Sequence, residues 1–152
     1  MVGSLRRLYP ASTAALLALT SFSPATALAA QTQAQSAHDI SVELNKLEPL
    51  GKGCRAYVVV DNATDAAYSV LKLDIVLFRP DGVIDRRIAI DLGPLPANKK
   101  DVKTFDLEAT PCSQIGSMFV NDVLECKSGE QDVSDCLDRF AVSSRGPATL
   151  SK

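Results

Sequence analysis

The sequence predicts an all-β chain: an antiparallel β-sandwich of about seven strands, stapled by two disulfides. Three observations carry this. From Asp39 onward, apolar and polar residues alternate with period two, and β-branched residues fill many of the apolar positions. Turn signals recur about every ten residues, the spacing of short sandwich strands. Four cysteines fall in the same region, and an even count suits an exported disulfide-bonded domain.

The chain begins with a different kind of segment. Arg6 and Arg7 precede an apolar, small-residue stretch, and no acidic residue occurs before Asp39. This is the layout of a cleaved secretory signal peptide over residues 1–30. Ala27 and Ala29 supply the small-residue pattern, so cleavage is expected after Ala29, with Ala30 the alternative. The apolar stretch is about twelve residues, short of the roughly 20 that span a bilayer. The general secretory route is expected, with the twin-arginine route as the alternative because of the Arg6-Arg7 pair. Residues 31–38 are polar and aperiodic and read as a flexible leader ending at His38.

The β-sandwich domain is assigned to residues 39–143. Ile40, Val42 and Leu44 alternate with Ser41, Glu43 and Asn45. A turn at Leu50–Gly53 leads to Cys54, Ala56, Val58 and Val60 on one face. Asn62–Asp65 is the next turn; its Asn-x-Thr shape reads as turn chemistry. Leu71, Leu73, Ile75 and Leu77 share a face, with Lys72 and Asp74 opposite. Pro80-Asp81-Gly82 ends that strand. Ile84, Ile88, Ile90 and Leu92 share the next face, opposite Asp85, Arg87 and Asp91, which places Arg86 on the apolar side at a sheet rim. The loop from Gly93 to Asn98 contains two prolines without backbone donors. Lys99 and Lys100 read as its solvated tip. Lys103, Phe105 and Leu107 begin a fifth strand; residues 115–126 give a sixth and 137–142 a seventh. One wet face per sheet predicts antiparallel pairing. Residues 144–152 read as a disordered tail.

Strand parity selects a disulfide connectivity. If successive strands run up and down, Cys54 and Cys112 lie at one end of the sandwich and Cys126 and Cys136 at the other. The expected pairs are Cys54–Cys112 and Cys126–Cys136. No Cys-x-x-Cys spacing occurs, which disfavours zinc and dithiol chemistry.

The run YSVLKLDIVLFRPDG over residues 68–82, followed by LGPLPA over 92–97, resembles the centre of FxLYD-type exported domains. The resemblance spans roughly residues 56–107 and implies an immunoglobulin-like sandwich. It departs at Arg79, where the family carries an aspartate; here the acid is Asp81. It implies no catalytic residues.

Composition narrows the function classes. A net charge of −2, falling to −4 without residues 1–30, leaves no nucleic-acid footprint. One histidine removes most imidazole catalysis. No cofactor or metal, no stable membrane anchor after cleavage and no enzymatic activity are expected. The reading is a non-enzymatic periplasmic or secreted protein that binds another envelope protein. Its candidate surfaces are two loops, because connections carry recognition more often than strands. The first contributes Pro94, Leu95, Pro96, Asn98, Lys99 and Lys100; the second contributes Lys127, Asp132 and Asp135. The alternatives are small-ligand binding, calcium binding at Asp132, Asp135 and Asp138, and a carboxylate-based hydrolase.

Overall fold

The structure is a computed structural model that describes residues 39–152. The signal peptide, its cleavage site at Ala29 or Ala30, the leader and His38 lie outside the described residues.

Strands run in the order β1 (Ile40–Leu50), β2 (Gly53–Asn62), β3 (Val70–Phe78), β4 (Ile84–Asp91), β5 (Lys99–Leu107), β6 (Ser117–Ser128), β7 (Gln131–Asp132), β8 (Phe140–Ser144) and β9 (Thr149–Ser151). Short 3₁₀ turns occupy Cys112–Gln114 and Cys136–Arg139. One sheet has the order β5-β2-β1-β8; the other has β4-β3-β6-β7, with β9 also on β6. The fold is therefore all-β in two sheets, with a topology compatible with an immunoglobulin-like sandwich.

The alternation legible in the sequence makes the core. Ile40, Val42 and Leu44 of β1 share the inner face of their sheet with Ala56, Val58 and Val60 of β2, and all are buried. Leu71, Leu73, Ile75 and Leu77 of β3 line the opposing face. Phe140 of β8 is completely enclosed. Burying a side chain of that size contributes about 2–3 kcal/mol. The void left between the sheets is about 10 Å³, at or below what one water requires.

Bulges account for several departures. One on β4 leaves Asp85 unpaired, so Ile84 lies opposite Phe78 on the outer face, 58% exposed. Ile84 thus leaves the apolar face it was assigned, because one extra residue reverses sidedness. Bulges on β6 leave Asn121 and Leu124 without partners in the β3 register. Asp74, expected on a wet face, is buried because Arg87 and Asn121 close over it.

Other expectations are also revised. Lys99 and Lys100 are exposed but open β5, pairing with Asn62 and Asp61. Residues 137–139 wind into the 3₁₀ turn, and the strand behind them starts at Phe140. The 144–152 segment is not a disordered tail. Thr149–Ser151 pairs in parallel with Ser117–Phe119, and Ala148 is buried. Pairing is not wholly antiparallel either, since β8 runs parallel to β1. These late strands find partners fixed much earlier in the chain, which local sequence does not encode.

The strands β4 and β5 are the open edges on one side of the sandwich. Each carries an inward-facing cation, a device that discourages edge-to-edge pairing. Arg86 of β4 donates to the Glu108 carbonyl at 2.5 Å and to the Thr110 hydroxyl, and pairs with Asp85 at 3.4 Å. This is the rim position predicted for it. Lys103 of β5 donates to the Pro94 carbonyl at 3.2 Å and pairs with Asp101 at 3.1 Å.

Candidate functional site

The two loops singled out in the sequence meet through Tyr68 and Ser69, the start of the 68–82 run, to which the sequence assigned no site role. Tyr68 exchanges backbone hydrogen bonds with Leu95, at 2.9 and 2.8 Å. The next residue, Ser69, turns the other way. Its backbone N–H donates to the Lys127 carbonyl at 2.8 Å, and its hydroxyl donates to the Gly129 carbonyl at 2.7 Å. One dipeptide thus ties the β4–β5 connection to the β6–β7 hairpin. Gly93 permits the close approach, because a Cβ there would stand 2.7 Å from the Ser69 carbonyl oxygen.

Asn62 anchors the same end from the interior. Its side-chain N–H group donates to the Ala66 carbonyl at 2.8 Å and the Pro96 carbonyl at 3.0 Å. Its oxygen accepts from the Thr64 N–H at 3.1 Å and hydroxyl at 2.8 Å. The side chain is fully buried. The Asn-x-Thr sequence is therefore turn chemistry, as its composition suggested.

Around this scaffold the predicted residues divide. Pro94, Pro96, Asn98, Lys99 and Lys100 are exposed. Leu95 is not part of the surface: it is 1% exposed, because its bonds to Tyr68 pull it into the core. Asn98 adopts a positive φ of 50°, and its amide holds Asp65 at 2.8 Å. Asparagine is among the residues that tolerate that backbone region. Lys100 pairs with Asp61 at 3.1 Å.

On the hairpin side, Lys127 pairs with Glu125 at 2.7 Å, and that hydrogen bond holds its ammonium pKa above the usual lysine value. Asp132 is exposed on β7, opposite Lys127 in register. Asp135 is exposed, has a φ of 58° and accepts at its carbonyl from the Asp138 N–H at 3.1 Å. The Cys126–Cys136 disulfide, with a Cα separation of 6.6 Å, pins this segment to β6. Cys54–Cys112, with a Cα separation of 4.9 Å, closes the opposite end. Both pairs are those that strand parity selects.

A groove of about 480 Å³ opens beside the hairpin, between Asp122–Lys127 of β6 and the segment from Asp132 to Asp138. No group of three or more histidine, cysteine or acidic residues is placed to hold a metal ion among the described residues. Sequence reasoning read Asn62 as turn chemistry and Tyr68 and Ser69 as the start of a strand motif, and missed their role in joining the two loops.

The fold is similar to that of a solved structure, IrmA from Escherichia coli, with a TM-score of 0.52 and 17% identity, covering 71% of this chain and 93% of that one. That likeness concerns the fold. No family model and no curated protein matches the chain. No helix among the described residues is long and apolar enough to cross a membrane.

Proposed function

We propose that this chain is a non-enzymatic protein of the bacterial envelope, exported to the periplasm or beyond, where it acts as an interaction module. Its binding surface is the end of the sandwich built on Tyr68 and Ser69. The observation that carries this reading is the convergence there of both loops, held from behind by buried Asn62. Recognition loops on a rigid scaffold are a recurrent arrangement. Two disulfides support an oxidising compartment.

The test is capture in intact cells. The affinity-handled protein is crosslinked in the envelope, and bound proteins are identified by mass spectrometry against an unrelated exported sandwich. A reproducible partner lost on alanine substitution of Pro94, Pro96, Lys99, Lys127 and Asp132 is the expected result. A partner retained by that variant removes this end as the binding surface.

A further inference from the structure

The groove beside the hairpin has a property that the rest of the surface lacks. Of the 18 carboxylates in the sequence, ten are in ion pairs among the described residues. Of the eight left over, five fall in one short stretch: Asp122, Glu130, Asp132, Asp135 and Asp138. Four of these five line the groove. Lys127, which also lines the groove, is paired with Glu125 and attracts Asp132 and Glu130 only at longer range. Between the carboxylates the lining carries four apolar side chains beside the Lys127–Glu125 pair. Val123, Val133 and Leu137 are half-buried, and Leu124 stands 53% exposed because its bulge pushes it out of the β3 register.

An exposed leucine among carboxylates that make no ion pair is complementary to a chain that alternates cations with apolar side chains. We propose that this groove docks an extended, basic and amphipathic peptide segment of a partner protein. Its apolar residues cover Leu124 and Val133, and its lysines or arginines meet Asp122, Asp132, Asp135 and Asp138. The proposal rests on the interaction-module reading above and names the partner's chemistry. Charge complementarity of this kind sets encounter rate and selectivity more than raw affinity. It excludes acidic segments by like-charge repulsion.

The probe is a blocked synthetic peptide of about seven residues alternating lysine and leucine, long enough for strand-type recognition. Its binding to the purified exported protein is followed by fluorescence anisotropy, beside a glutamate–leucine peptide and a lysine–serine peptide. The lysine–leucine peptide is expected to bind best. The combined variant Asp132→Asn, Asp135→Asn, Asp138→Asn should weaken it about tenfold, the sum of several rim charges each of modest worth. Asparagine also suits the positive φ of Asp135, so the fold is retained; an unchanged circular dichroism spectrum verifies it. Leu124→Ser should weaken binding. Raising salt from about 50 to about 300 mM should weaken binding severalfold as the Debye length shortens. Equal binding of the glutamate–leucine peptide, an unchanged affinity in the triple variant, or no binding at all overturns the proposal. Cell capture separates the two readings. A partner that depends on Pro94 to Lys100 and survives the triple variant overturns this inference alone; if no partner is captured, the interaction-module reading falls with it.

Discussion

Arg87 clamps the Asp74 carboxylate from the neighbouring strand, with Nε 3.2 Å from one oxygen and Nη2 donating to the other. Asn121 adds a third hydrogen bond at 2.7 Å from the β6 bulge. The outer face of a strand thereby buries an acid to 5% exposure. The Arg87 hydrogen bonds dominate over desolvation and hold the Asp74 carboxyl below its ordinary value of 3.8.

A pH dependence of stability follows. The unfolded chain takes up the Asp74 proton at higher pH than the folded one does. Stability from this group is therefore present above pH 3.8 and lost as pH falls through the lower folded value. Urea midpoints measured from neutral pH downward should fall more steeply for the native protein than for Asp74→Asn. Asp74→Asn should also be less stable at neutral pH, since Arg87 loses its anionic partner. Parallel acid limbs for the two proteins would show that the clamp contributes nothing.

Packing predicts a sharp contrast between two apolar positions. Phe140 is fully enclosed between the sheets, whereas Leu124 is 53% exposed. Phe140→Ala should cost about 3–5 kcal/mol through lost burial and a cavity. Leu124→Ser should stay within about 0.5 kcal/mol, as surface substitutions do. Urea denaturation with both disulfides intact measures each.

Asn62 is irreplaceable by its nearest isostere. Asn62→Asp keeps the shape but removes the N–H group that donates to the Ala66 and Pro96 carbonyls. A carboxylate would then face those oxygens in a buried site. The expected loss is about 1–3 kcal/mol, the cost of unsatisfied buried acceptors. Amide exchange should quicken at Asn98 and Leu95, whose N–H groups bond to Thr64 and Tyr68 in the segment that Asn62 anchors.

The comparison of sequence with fold divides along a physical line. Alternation in β2 and β3 is a local signal, and it located Val58, Val60, Leu73 and Ile75 in the core. Bulges are single insertions with no special residue to announce them; Asp85 and Leu124 look like ordinary strand positions. So the outward turn of Ile84 and the groove beside Leu124 were illegible. The partners of β8 and β9 lie about a hundred and about thirty residues away in the chain, and composition cannot assign them. Within the candidate surface, exposed Pro94 and Lys99 were readable from turn composition. The burial of Leu95 was not, because it depends on Tyr68.

The disulfides give the last prediction, because their loops differ in length. Cys54–Cys112 spans 58 residues and Cys126–Cys136 spans 10. In the loop-entropy account these closures stabilise by about 4 and about 2.5–3 kcal/mol respectively. Replacing Cys54 and Cys112 together by alanine should therefore lower the urea midpoint more than replacing Cys126 and Cys136. The functional consequences should run in the opposite order. The short loop holds the segment that carries Asp132 and Asp135, so its removal should release the groove and weaken lysine–leucine peptide binding. The long loop closes the far end of the sandwich, and its removal should leave peptide affinity unchanged while the domain stays folded. Equal losses of affinity in both variants would mean that binding tracks global stability and does not depend on the hairpin held by Cys126 and Cys136.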